Sequence, residues 1–361
     1  MLKGIRIVEI EGLGPTPFAG MMFADLGAEV TVIHRKNKSV FSNPKNITDR
    51  GKRSIELDLK NPDELEIAKK IISRSDALIE GFRPGVMENL GLGPNDLNQN
   101  PAFVYGRMTG WGQNGPKSKQ SGHDLNYIGL SGALWYASHP DSPPFTPPTL
   151  VGDVGGGALY LVIGVLSALL NAKSSGRGSV VDAAIVDGSA HMMNLFMSLQ
   201  NTGMYSEDRG KSFLDGPPWS RCYRTSDNLW ISVQSLESKF YSEFIDKLGL
   251  SSHPKFQEQL NEEYWNEMTE ILEDYFSKKT LKEWIDIFDQ SDACVAPVLS
   301  PMQSKNDPHI KHRNIWVDSD GLTQAVPAPR FSDSANEGIG KIPKRDEHKK
   351  EILSELSEDK F

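Results

Sequence analysis

Cysteine is scarce: Cys222 and Cys294 are the only two in 361 residues, and neither stands in a CxxC or Cys/His ligand spacing. That excludes a disulfide framework, gives no metal site to expect, and fits a reducing compartment. A long basic run is also lacking. The net charge is -9 with acids spread along the chain, which argues against nucleic acid as a partner but leaves room for a local basic pocket for a phosphorylated small molecule. Long hydrophobic runs are missing too. The longest largely apolar stretch, residues 158–172, falls short of the roughly 20 residues a membrane span needs, so a buried helix and no membrane contact are expected. No signal-peptide pattern precedes the apolar run at residues 5–10, and the terminal Glu358-Asp359-Lys360-Phe361 is not a Ser-Lys-Leu-type address. A cytoplasmic protein of two domains is the expectation.

What is present is an alternation of strand and helix patterns. Residues 5–10 read as a buried strand, 11–17 as a Gly/Pro loop, and the following helix runs to about Leu26 with Gly27 as its stop. Residues 29–33 form the next strand of a doubly wound unit. The loop has Gly12 and Gly14, but Pro17 stands where a dinucleotide fingerprint needs its third glycine. His34, Arg35 and Lys36 replace the acid that would grip a ribose. A NAD site is poorly supported. Arg35 at a strand's carboxyl end suits a nucleotide with an extra ribose phosphate, the alternative being a solvated basic turn. Further strands are expected at residues 55–59, 77–80, 103–107 and 180–184. Helices are expected from Pro62, with Glu64 as a capping-box acid, and over residues 187–201. An α/β fold with an open parallel sheet follows, with ligands beyond the carboxyl ends of its strands, where Arg35 and Arg83 fall.

Two stretches carry possible chemistry. Gly122-His123-Asp124-Leu125-Asn126-Tyr127 sets a histidine and an aspartate at the mouth of a helix, next to unpaired N–H donors. His123 is either a structural histidine or a base, and Asp124 either a cap or part of the same site. Asp153 precedes Gly155-Gly156-Gly157, a run that serves close approach by a ligand or by another backbone. It is either a helix cap or a carboxylate whose pKa desolvation raises toward a general acid's range. Residues 222–308 read as a smaller α+β domain, with Glu237 at the start of a helix over residues 239–248.

Motifs along nearly the whole length resemble the family III CoA-transferase superfamily, and within it the α-methylacyl-CoA racemases. They include Phe23-Ala24-Asp25-Leu26-Gly27-Ala28, Ile79-Glu80-Gly81-Phe82-Arg83-Pro84-Gly85, Gly122-His123-Asp124, Leu150-Val151-Gly152-Asp153 and Asp292-Ala293-Cys294-Val295-Ala296-Pro297. The resemblance implies a Rossmann-like large domain (1–190, rejoined by a tail over 326–361) and a linker (191–221). A small α+β domain (222–308) and a second linker (309–325) follow, and two ring-shaped chains interlock as a homodimer. It implies a racemase acting on 2-methylacyl-CoA thioesters through an enolate, with no cofactor because CoA belongs to the substrate. His123 and Asp153 serve opposite faces of the α-carbon, Asp124 supplies a helix-start N–H to the enolate oxygen, and Glu237 completes the partner chain's site. CoA-contacting positions carried over are Arg35, Leu57, Asp58, Leu59, Lys60, Gly81, Phe82, Arg83, Gly122, Leu125, Asn126 and Tyr127.

Three departures stand out. Asn89 replaces an arginine common before Leu-Gly-Leu-Gly-Pro, Thr149 replaces an asparagine before Leu-Val-Gly-Asp, and Pro217-Pro218-Trp219-Ser220-Arg221 alters an aromatic segment of the acyl pocket. The alternative activity is a CoA transferase with Asp124 as nucleophile, forming an aspartyl-CoA anhydride. A CoA-ester-binding protein without turnover ranks after both.

Overall fold

The computed structural model describes residues 1–36, 45–97, 100–332 and 338–358. The elements run β1 (Arg6–Ile10), α1 (Pro15–Asp25), β2 (Glu29–His34), β3 (Arg53–Glu56), α2 (Pro62–Ser73), β4 (Ala77–Glu80), α3 (Val86–Asn89), β5 (Val104–Thr109) and α4 (Asp124–Leu130). A π-helix (Leu150–Ala158) leads into α5 (Leu159–Ser175), followed by β6 (Val180–Ala184), α6 (Ile185–Met192) and α7 (Asn194–Met197). The second half has β7 (Ser220–Arg224), β8 (Trp230–Gln234), α8 (Ser238–Lys247), α9 (Trp265–Phe276), α10 (Leu281–Phe288), β9 (Val295–Val298), α11 (Pro301–Ser304) and α12 (Pro308–His312). It closes with β10 (Trp316–Ser319), β11 (Leu322–Ala325) and α13 (Lys349–Ser357).

Two compact units result. The first comprises Met1–Leu134, Phe145–Asn194 and Asn314–Phe361, the second Trp135–Pro144 and Leu195–Arg313. In the first, six strands form a parallel sheet in the order β3-β2-β1-β4-β5-β6. The order reverses between β1 and β4, and that point opens a crevice at the strands' carboxyl ends. Near-continuous apolar strands are what a sheet covered on both faces requires. Ile7, Phe23, Val30, Ile79, Leu161 and Val165 pack one face through α1 and α5. Val8, Ile33, Leu78 and Tyr105 pack the other against Ile71 of α2 and Ile352 of α13. The second unit has an antiparallel sheet, β7-β8-β9, under an aromatic core of Trp219, Tyr223, Phe244, Phe276 and Trp284.

Several local expectations are corrected. β3 ends at Glu56, because Asp58 turns the chain: its carbonyl accepts from Asn61 N–H and its Oδ1 from Lys60 N–H. Glu64 is no capping-box acid. Its Oε2 accepts from Asp58 N–H at 2.6 Å, while Asn61 alone caps the helix. The apolar helical run is longer than expected, 26 residues over Leu150–Ser175, and by length and composition could cross a membrane. It extends through the glycines because Gly156 and Gly188 put two backbones in contact; a Cβ on Gly188 would lie 2.0 Å from Gly156 O. Close approach of another backbone therefore accounts for Gly156. The helix expected over 187–201 is broken at Met193. Residues 195–221, expected as a linker, belong to the second unit. The linker expected over 309–325 holds the β10–β11 hairpin, paired from Trp316↔Ala325 to Ser319↔Leu322.

Candidate active site

α4 starts where it does because His123 is extended (φ −138°, ψ 175°). A reciprocal cap holds it: Asn126 Oδ1 accepts from His123 N–H at 3.0 Å, and Asn126 N–H donates to His123 O at 2.8 Å. Tyr127 then braces the turn. Its hydroxyl donates to Gly122 O, and its ring meets Trp111 edge-on at 4.7 Å. Gly110 must be glycine, since a Cβ there would sit 2.0 Å from that ring. Through these contacts the end of β5 fixes the mouth of α4.

Asp124, 8% exposed, faces inward. Its Oδ1 accepts the main-chain N–H of Asp153 at 2.9 Å, which ties α4 to the π-helix. Gly152 permits this approach, because a Cβ there would fall 2.4 Å from Asp124 Oδ1. Asp153 is thus not a helix cap but a residue within the π-helix. Its carboxyl is pushed up to about 6, chiefly by burial and then by the charge of Asp124, with His123 pulling it partly back. Gly14, at φ 65°, closes the other side: a Cβ there would lie 3.2 Å from Asp153 Oδ2. An exposed imidazole and a partly buried carboxyl poised near neutrality are thereby brought together, and such a pair can move a proton in either direction.

The crevice continues along the strand ends. Arg35 follows β2 and is half exposed; its Nε stands 3.5 Å from Glu11 Oε2. Asp58 and Lys60 are exposed and Leu59 half-buried, but Leu57 is sealed in the core. Only its main chain is left to meet a ligand. Beyond β4, Glu80 Oε2 accepts from Phe82 N–H at 2.7 Å and its Oε1 from Arg107 Nε at 3.1 Å, ordering the Gly81–Arg83 turn. Gly81 abuts Thr16, and Phe82 packs against the core. Arg83 Nη2 donates to Ser121 Oγ at 2.5 Å, linking that turn to the segment before His123. Leu125 is exposed, whereas Asn126 and Tyr127 are spent on the cap and brace.

The sequence signature of CoA-transferase family III matches residues 2–349. The chain belongs to CoA-transferase family III. It is 39% identical over 359 residues to the α-methylacyl-CoA racemase of Mus musculus and 37% identical over 359 residues to that of Homo sapiens; each alignment covers 98% of this chain and 93% of the relative. A CAIB/BAIF family protein from Brucella suis shares the fold, with a TM-score of 0.83 at 23% identity over 98% of both chains.

Within this family III chain, Glu237 belongs to the second unit. It is the exposed N-cap residue of α8 and makes no side-chain capping bond. Among the described residues no group of three or more His, Cys, Asp or Glu could hold a metal ion. A cavity of about 810 Å³ near Lys3, Leu26, Val317 and Phe331 contains none of the residues above. Sequence reasoning missed Gly14 as a neighbour of Asp153, although it had noted the glycine itself. It missed Arg345 entirely, whose guanidinium reaches the ends of β1 and β3.

Proposed function

We propose that the protein interconverts (2R)- and (2S)-2-methylacyl-CoA thioesters by 1,1-proton transfer. The observation that carries this is the Asp153 carboxyl, raised to about 6, set beside His123 and fixed through its own N–H by Asp124. One of the two groups takes the α-proton, and the electron pair of the broken C–H bond moves into the thioester as an enolate. The other group returns a proton to the opposite face. The thioester carbonyl is itself the electron sink, so the reaction calls for no further cofactor. The N–H of Asp124, in the first turn of α4, would stabilise the enolate oxygen; one such donor is worth on the order of 3 kcal/mol in comparable oxyanion holes. The 39% and 37% identities to α-methylacyl-CoA racemases support the same reaction.

In this reading the working unit is a homodimer, and Glu237 of a second copy orients His123. Apolar exposure supports it: Ile163 and Leu170, seven residues apart and so on one face of α5, are 59% and 72% exposed, a strip that a second copy would cover. Arg35, Asp58, Leu59, Lys60 and Arg83 would take the CoA moiety. A transferase nucleophile at Asp124 fits less well, because that carboxylate is buried and its Oδ1 is already an acceptor for Asp153.

Incubation with a 2-methylacyl-CoA in D2O is the test. Racemisation requires deuterium at the α-carbon of both epimers. Transfer of CoA to added free acids without deuterium uptake would show the transferase instead, and neither outcome would leave a binding protein.

A further inference from the structure

A residue from the far end of the sequence occupies the nucleotide edge of the sheet. Arg345 Nε donates to Glu56 Oε1 at 2.7 Å, and its Nη1 to Glu11 Oε1 at 2.6 Å. Its Nη2 donates to Glu11 Oε2 at 3.3 Å and to the main-chain oxygen of Arg35 at 2.6 Å, with His34 Nδ1 3.1 Å from Nη1. One guanidinium thus ties together the carboxyl ends of β1, β2 and β3. The backbone that carries it is locked to β3. Asp346 Oδ1 accepts from Glu56 N–H at 2.7 Å, and His348 exchanges two bonds with Ser54, its Nδ1 accepting at 3.1 Å and its N–H donating at 3.0 Å.

Glu11 passes this order on to Arg35. Its Oε2 accepts the Arg35 N–H at 2.9 Å and stands 3.5 Å from Arg35 Nε. Burial works against the Glu11 carboxylate, but the contacts from His34, Arg345 and the Arg35 N–H outweigh it and hold its carboxyl well below the usual range. The two arginines therefore have different standing. Arg345 is 17% exposed, with every guanidinium nitrogen engaged, whereas Arg35 is 50% exposed and shares a single carboxylate oxygen. A guanidinium that is held yet accessible pairs with phosphate in a fixed geometry.

We infer that Arg345 is a positioning residue for the nucleotide of coenzyme A: through Glu11 it sets Arg35 where the phosphate on the adenosine ribose docks. The inference rests on the CoA-ester reading above, and it makes phosphate discrimination depend on a residue that does not touch the phosphate. A tail residue that merely stabilised the fold would, when removed, weaken all CoA-like ligands alike.

Titration calorimetry of the full chain with CoA and with 3′-dephospho-CoA separates these cases. The wild type should bind CoA at least ~10-fold more tightly, the size of one charge-assisted contact. Arg35→Ala and Arg345→Gln should both bring that ratio to within about 3-fold, with dephospho-CoA affinity little changed. Glu11→Gln, which keeps the side chain's size, should do the same and serves if Arg345→Gln does not fold. Arg345→Lys, with one charge but no fork, should fall between. A ratio unchanged in folded Arg345→Gln, a parallel loss of both affinities, or no discrimination by the wild type would each overturn the assignment. Discrimination without α-deuterium uptake would instead sink the racemase reading and leave this one standing.

Discussion

Asp124 Oδ1 accepts the main-chain N–H of Asp153 at 2.9 Å, so one carboxylate of the site supports and charges the surroundings of the other. Had Asp124 contributed only its own N–H, its side chain would be dispensable. It is not free to go. Asp124→Asn keeps an acceptor oxygen but removes the charge that raises Asp153. The acid limb of the pH profile for α-proton exchange should therefore move down from about 6, but only part of the way toward the ordinary value, because burial, the larger cause of the shift, remains. Asp124→Ala, which also frees the π-helix, should lose about 5-fold more in kcat than Asp124→Asn, the size of one hydrogen bond between neutral groups. A limb that stays in place in Asp124→Asn would assign the whole shift to burial.

Asp153 should cost the fold stability at neutral pH. Its folded pKa lies above the unfolded value, so the folded chain binds the proton more tightly. The stabilisation this gives is complete below the unfolded pKa and is lost as pH rises from about 4 through about 6. Asp153→Asn should thus melt higher than wild type at pH 8, by roughly 2 °C after allowance for partial exposure, with the gain shrinking toward pH 4. Melting curves at both pH values check the sign.

Close backbone packing of the π-helix makes a sharper claim. Gly188→Ala would put a Cβ 2.0 Å from Gly156 O, and overpacking of this kind should cost about 3 kcal/mol or more. Gly129→Ala in α4 meets only Leu134 Cδ2 at 3.8 Å and should be neutral or gain about 0.5 kcal/mol. Denaturant melts of the two variants should part accordingly.

Where a segment's own residues decide its structure, the sequence was readable. β4 and β6 have the bounds expected of them, because short apolar runs are fenced by turn residues. His123, Asp124 and Asp153 could be singled out because each lies beside glycines or a helix start. The π-helix was not legible: its glycines argue for a helix start, and only contact with α6 across the fold overrules them. Arg345 was hidden for a related reason, its partners lying 289 to 334 positions away. The β10–β11 hairpin could have been found. Asp320-Gly321, both at positive φ, is a two-residue turn signal between its strands.

The proposal that Glu237 of a second copy completes the site is open to complementation. Inactive His123→Ala and inactive Glu237→Ala, unfolded together and co-refolded, should regain part of the wild-type activity, because a mixed dimer holds one intact His123–Glu237 combination. Mixed dimers that form yet stay inactive would place Glu237 outside the reaction.

The central claim is that His123 and Asp153 each serve one face of the α-carbon, and exchange of separate epimers in D2O tests it most directly. His123→Ala and Asp153→Ala should each lose at least ~100-fold in racemisation, the lower range for general acid–base catalysis. Each should still exchange the α-proton of one epimer, and the two variants should retain opposite ones. Equal exchange of both epimers by both variants would contradict the assignment, as would a His123→Ala variant near wild type beside an inactive Asp124→Ala.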